Sequence, residues 1–267
     1  MFEEREVQIL FFPLLLLVSF LQTASAAEPN YAREERLAAE IVDVLFEGEP
    51  VELDADGRSF LTIFTEADEP KGTVVILHGR GYHPDWENVV SPLRVGLVEQ
   101  GWNTLSIQLP VLEKSAKYFD YVDLFDLAGQ RIEAALEFAH QQDAGKVVLL
   151  AHSCGSHMAQ RWIKSFTNSA VTQFDAYVGI GMGATDYKQP MVEPFQFDKM
   201  PMPILDLYGA EDFPAVLRKA PERLAMMQQA GNPLSAQVVI PKADHYYKGK
   251  EQAQLMVNAV AEWLDKL

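Results

Sequence analysis

Apolar residues in this 267-residue chain fall into short continuous runs, separated by longer stretches in which they recur every three or four positions. The runs at 60–64, 73–77, 104–109, 146–151, 176–180, 204–208 and 236–240 predict strands. Several are apolar on both faces, as strands are in a parallel sheet covered by helices on each side. The stretches at 89–100, 124–141, 153–165, 215–230 and 251–267 predict helices. In the second of these, Leu124, Leu127, Ala135, Leu136 and Ala139 form a core-facing stripe. Nearer the start, Leu37, Ile41 and Leu45 recur every fourth position and Gly48 is placed to stop them, which predicts an N-terminal helical segment over 27–49.

Strand and helix alternate from residue 72 to the end, which implies one layered α/β domain over 50–267 with right-handed crossovers. The strand-like positions between 50 and 66 have no helix between them and predict an antiparallel edge on the same sheet. The chain contains no internal repeat and no low-complexity linker.

Composition narrows the function. With 48% hydrophobic residues a sizeable core is available, and the lone Cys154 rules out an intramolecular disulfide. A net charge of −16 excludes a nucleic-acid partner and an electrostatic hold on anionic lipid, both of which need a basic field. The six histidines show neither H-x-x-x-H spacing nor an H-E-x-x-H run, so no metal and no cofactor are expected. The apolar run at 9–21 is too short to span a bilayer comfortably and is followed by Ala24-Ser25-Ala26, a small-residue cleavage pattern. Residues 1–26 are therefore expected to be a signal peptide for export to the periplasm or beyond. The acidic leader Glu3-Glu4-Arg5-Glu6 leaves an uncleaved anchor as the alternative.

The chemistry begins at Ala151-His152-Ser153-Cys154-Gly155, which follows an apolar run and precedes a helical pattern. A nucleophilic serine must stand out of a sharp strand-to-helix turn, and such a turn crowds the residues two before and two after it. Ala151 and Gly155 are small enough. Cys154 reads as a small buried side chain rather than the nucleophile. Serine also needs a base, and the base an orienting acid, in the chain order Ser, acid, His. Only His157 and His245 follow Ser153, and His157 lies down the next helix. His245 sits in a loop between the last strand and the last helix. The acid should follow the penultimate strand, where Asp212 lies just beyond the Gly209 turn, with Glu211 in reserve. Asp206 lies inside the strand, and Asp244 is adjacent to His245, where neighbouring side chains point apart. An oxyanion hole is expected from the backbone N–H groups of Arg80, in the glycine-rich turn after strand 73–77, and of Cys154.

Taken together, the His78-Gly79-Arg80-Gly81 turn, the Ser153 elbow, the Gly209-to-Asp212 turn and the His245 loop resemble an α/β hydrolase over roughly 55–267. The stretches 78–86 and 101–110 resemble, more narrowly, an uncharacterised bacterial family of exported α/β-hydrolase-like proteins. The resemblance implies a mostly parallel central sheet flanked by helices, and a Ser153–His245–Asp212 triad. The interval from Gly181 to Met202 is short and proline-containing, so no large cap domain is expected and the site should be open. The implied reaction is hydrolysis of a small-molecule carboxylic ester or thioester through an acyl-enzyme. A non-catalytic binding protein of the cell envelope is the alternative, and an envelope peptidase a more distant one. Tyr82 and His152 are expected near the pocket mouth as substrate-binding residues, and Trp86 and Tyr246 lie in the same region. The Arg80 side chain is placed either to attract an anionic group or to pair with Asp85.

Overall fold

The computed structural model describes residues 28–143, 145–165, 173–183 and 195–267. Among them, eight strands form one sheet: β1 (Glu49–Ala55), β2 (Arg58–Thr65), β3 (Gly72–Leu77), β4 (Asn103–Ile107), β5 (Lys146–His152), β6 (Ala176–Ile180), β7 (Ile204–Gly209) and β8 (Ala236–Ile240). The helices are α1 (Tyr31–Val44), α2 (Val90–Val98), the single turn α3 (Tyr118–Tyr121), α4 (Phe125–Gln141), α5 (Cys154–Ser165), α6 (Pro214–Ala230) and α7 (Lys250–Leu264).

Strand order is β1-β2-β4-β3-β5-β6-β7-β8. From β4 to β8 every pairing is parallel, while β1–β2 and β2–β4 are antiparallel, as the absence of helical pattern between 50 and 66 predicts. Two residues, Asp56 and Gly57, join β1 to β2, both at positive φ (52° and 72°), the turn conformation that matches strand twist.

Side-chain alternation divides the core into two layers. Val75, Leu77, Leu149 and Ala151 face one layer, which α4 and α5 complete with Ile132, Leu136, Met158 and Trp162. Their neighbours Val74, Ile76, Val148 and Leu150 face the other, where α2 and α7 supply Leu93, Leu97, Val257 and Val260. Every residue of β3, β4 and β6 is buried, which explains the apolar runs of β3 and β6; the polar residues of β4 are hydrogen-bonded, Thr104 to Arg94 O and Ser106 to Pro84 O. A smaller cluster of Ile41, Leu61 and Ile63 seats α1 on β2.

This topology fixes where chemistry can occur. The chain leaves β3 for β4 on one side and then returns to β5 on the other, so the order reverses between β3 and β5. In an open parallel sheet the crevice for a ligand lies at such a reversal, beyond the carboxyl ends of the strands. The turn 78–81 leaves β3 there and Ser153 leaves β5 there. The segments after β7 and β8 end at the same edge. Only 23 residues separate the end of β6 from β7, and the described ones hold a single 3-10 turn at Phe197–Lys199, so there is no room for a large cap. Residues 184–194 of that interval, with Pro190 and Pro194, and the proposed leader 1–26 lie outside the described residues. No helix among the described residues is long and apolar enough to cross a membrane.

Candidate active site

β5 ends in a forced geometry. Ser153 has φ 52°, in the left-handed region that a non-glycine residue occupies at a cost of about 1–3 kcal/mol. The strain is held by its surroundings. Ser153 N–H donates to Ile180 O at 2.9 Å, and Ser153 O accepts from Ser156 N–H at 3.0 Å to begin α5. Gly155 allows the start of α5 to approach the end of β3: a Cβ there would lie 2.6 Å from His78 O, which is backbone and cannot give way. The smallness that the sequence pattern demands at this position thus has a specific cause.

His245 Nε2 lies 2.9 Å from Ser153 Oγ, and His245 Nδ1 lies 2.6 Å from Asp212 Oδ1. Asp212 and His245 are almost wholly buried, while Ser153 is part-exposed. Asp212 Oδ1 also accepts the Phe213 N–H at 2.7 Å. The loops carrying acid and base are joined directly, since Ala210 N–H donates to Ile240 O and Glu211 N–H to Ala243 O, both at 2.9 Å. Glu211, the reserve acid, is exposed and contributes through its backbone. Asp244 accepts the Tyr246 N–H at 2.9 Å and shapes its own turn. Asp206 is fully buried against Arg223 of α6 at 2.8 Å, and Arg223 also donates to Met182 O. Burial pushes the Asp206 carboxyl upward against the pull of Arg223.

The turn after β3 lies against the serine. A Cβ on Gly79 would sit 3.3 Å from Ser153 Cβ and 2.9 Å from His152 Nδ1. Tyr82 N–H closes the turn onto Gly79 O at 3.3 Å, with Gly81 at φ 75° in the third position, where a type II turn requires glycine. His78 fixes its orientation. Its Nε2 accepts the Leu109 N–H at 2.9 Å, so Nδ1 carries the proton and donates to Gly79 O at 2.7 Å. In a trans peptide C=O and N–H point in opposite directions, so turning Gly79 O toward His78 turns the Arg80 N–H away from it. Burial lowers the His78 pKa to about 3, so the ring stays neutral and this tautomer persists. Cys154 is buried and is the first residue of α5, whose leading N–H groups have no acceptor within the helix.

Of the two expected pocket residues, His152 lies elsewhere than the sequence suggests, while Tyr82 is part-exposed beside the turn after β3. His152 is wholly buried rather than at the mouth. It is still part of β5, in register with Ile180, and its Nε2 lies 3.1 Å from His245 O. That contact ties the elbow to the base loop. Burial, reinforced by the neighbouring His245, drives the His152 pKa down and keeps it neutral. Tyr82 is half-buried, stacked on Trp86 with ring centres 3.7 Å apart, and its hydroxyl is pushed up to about 12 by burial. Asp85, weighed as a partner for Arg80, is held by Arg94 at 2.8 Å.

Three features had no clear signal in the sequence. Gly181, at φ 60°, approaches the base so closely that a Cβ would lie 2.9 Å from His245 Cε1. Phe213, part-exposed, stacks on the His245 ring with centres 4.2 Å apart. From α1, the buried Arg33 donates to Gly81 O at 2.7 Å and to Leu112 O, while its neighbour Glu34 pairs with Arg131 at 2.8 Å and accepts the Val111 N–H. The N-terminal helix thus holds the turn after β3 in place.

Known structures share this arrangement of strands and helices. An α/β serine hydrolase homologue from Coxiella burnetii superimposes with a TM-score of 0.59 at 18% identity, over 81% of this chain and 99% of its own. An α/β serine hydrolase without a lid from Xanthomonas campestris gives 0.60 at 16%, over 82% and 94%. The dienelactone hydrolase of Anabaena variabilis gives 0.60 at 18%, over 82% and 97%. The chain has the α/β-hydrolase fold. On that hydrolase scaffold, residues 18–119 match the model of a family described as a protein of unknown function, DUF3530. No curated protein matches the sequence.

Proposed function

We propose that this protein is a serine hydrolase that cleaves carboxylic esters or thioesters through Ser153, His245 and Asp212. The observation that carries the reading is the continuous hydrogen-bonded line from Ser153 Oγ through the imidazole to Asp212, at 2.9 and 2.6 Å. Asp212 accepts from Nδ1–H and leaves Nε2 unprotonated toward the hydroxyl, the tautomer a general base needs.

In the proposed reaction Ser153 Oγ attacks the carbonyl carbon as His245 Nε2 takes its proton. The tetrahedral oxyanion forms between the N–H groups of Arg80 and Cys154, at the start of α5, where the helix dipole is positive. The intermediate collapses, the C–O or C–S bond breaks, and His245 returns the proton to the leaving alcohol or thiol. Water then attacks the acyl-enzyme with His245 again as base, releasing the acid and restoring the serine. Buried Asp212 stabilises the imidazolium at each stage. No cofactor enters this scheme.

The chain is further proposed to act after export, with residues 1–26 removed, a reading that rests on the apolar run at 9–21 and Ala24-Ser25-Ala26. Mass spectrometry of protein from envelope fractions should find an N-terminus at Ala27, and a chain retaining Met1 would refute cleavage. For the reaction, the purified protein should be treated with a fluorophosphonate and the adduct mapped. Labelling at Ser153, abolished in Ser153→Ala and sharply reduced in His245→Ala, is the expected result. A folded protein that takes no label would instead be a binding protein built on a hydrolase scaffold.

A further inference from the structure

Beside the turn that touches Ser153 lies a groove of about 440 Å³ between α1, the segment 80–87 and the segment 113–121. Its charged lining runs against the rest of the chain. The whole sequence has 22 Lys and Arg against 38 Asp and Glu, yet among the described residues this groove gathers Arg33, Arg80, Lys114 and Lys117 against Glu87 and Glu113. A sample drawn at random from this chain would carry more acids than bases.

The groove is part of the site's immediate surroundings. Gly79 packs on Ser153, Arg80 follows it, and Gly81 faces both the Tyr121 hydroxyl and the Arg33 guanidinium, which would lie 3.5 and 3.7 Å from a Cβ there. The charge of Arg33 is fixed in the wall by its bonds to Gly81 O and Leu112 O. Lys114 and Lys117 are exposed, and no described residue holds either in an ion pair. One of the two carboxylates, Glu113, accepts from the Asn30 amide. His83 adds no charge at neutral pH, because burial lowers its pKa.

A protein with net charge −16 repels anions at long range, so a basic groove next to the nucleophile is a specific attraction set against a general repulsion. We propose that the groove seats a carboxylate on one arm of the substrate, so that the preferred esters are anionic. The inference rests on the hydrolase reading and narrows its substrate class.

The test compares two matched pairs of chromogenic substrates, so that either arm can carry the charge. 4-Nitrophenyl butyrate is paired with mono-4-nitrophenyl succinate, and phenyl acetate with 4-acetoxybenzoate. In at least one pair kcat/KM for the anionic member, corrected for intrinsic reactivity by its hydroxide-catalysed rate, should exceed the neutral one by about tenfold at low salt, the lower end of what local electrostatic attraction provides. The preference should shrink as ionic strength rises, because the two lysines are exposed to screening. In the doubly substituted Lys114→Glu/Lys117→Glu protein the preference should vanish, while neutral-ester turnover stays within about twofold. Equal turnover of both members of both pairs, or a preference unmoved in the double variant, overturns the inference and leaves the hydrolase reading intact. Failure to turn over any ester, with no fluorophosphonate adduct on Ser153, overturns the reading and this inference together.

Discussion

Replacing Gly181 by Ala should disable the base without touching any of the three reacting side chains. Two effects separate cleanly. The first is backbone strain, since Gly181 has φ 60° and an L-residue in the left-handed region costs about 1–2 kcal/mol. The second is steric. The new Cβ would lie 2.9 Å from His245 Cε1 and 3.0 Å from Nδ1, whereas carbon atoms settle at about 3.5 Å or more, so the ring must retreat by roughly 0.6 Å. Phe213 stacks on the same ring, and Asp212 lies 3.4 Å from the added methyl, so the imidazole has little space in which to shift. A displacement of that size degrades the 2.9 Å bond to Ser153 Oγ. Misplacing a catalytic group by about 1 Å costs on the order of a hundredfold, so a loss of about ten- to a hundredfold in the acylation rate is expected. Gly57→Ala is the matched control. Gly57 has φ 72° and nothing within 4 Å of a new Cβ, so it carries the strain alone. Gly57→Ala should lose about 1–2 kcal/mol in urea denaturation and Gly181→Ala at least as much, but only Gly181→Ala should react slowly with fluorophosphonate. Labelling of Gly181→Ala at the rate of Gly57→Ala would refute the account of how the base is positioned.

Three further outcomes follow from the buried polar groups. His78 and His152 are neutral in the folded protein, with pKa values of about 3 and well below 6.5, and each takes up a proton near pH 6.5 once unfolded. The unfolded state then binds more protons, so stability is full above pH 6.5 and falls below it, with a slope approaching about 1.4 kcal/mol per pH unit for each ring. Urea midpoints between pH 7.5 and 5 should show this decline before the carboxylates titrate, with His83 adding to it and with a shallower slope in His78→Asn; a flat profile would contradict it. Asp206→Asn leaves Arg223 buried without its counter-charge and should cost about 3–5 kcal/mol, much of it recovered in Asp206→Asn/Arg223→Met, as thermal and urea unfolding would report. Asp212→Asn should lower kcat by about 10⁴ in a folded protein by favouring the wrong histidine tautomer, while Glu211→Gln stays close to wild type, and ester turnover by the two variants decides between the candidate acids.

The strands were legible because burial on both sides leaves continuous apolar runs at 74–77 in β3, 147–151 in β5 and 176–180 in β6, and the edge pair was legible because no helical pattern separates β1 from β2. The candidate triad was legible because few residues compete for its places: two histidines follow Ser153, and one lies down a helix. Glycine at 155 could be derived from the crowding of a strand-to-helix turn, and the approach of His78 O supplies the atom responsible.

What escaped the sequence depends on contacts between distant segments. His152 stands next to the serine and for that reason looked like a residue of the mouth. The β5–β6 ladder extends through His152, and the alternation of the strand turns its ring inward, onto the carbonyl of a residue 93 positions away. Arg33 shows the same limit more strongly. A charged residue on the first helix, among other charged residues, carries no mark of its role, because its acceptors are the carbonyls of Gly81 and Leu112. Backbone acceptors have no sequence signature, since every residue has one. The strand-to-helix turns that hold Ser153, His245 and Asp212 are local and can be read locally. The orientation of the 78–81 turn depends on α1 packing across it, and is therefore a property of the folded sheet.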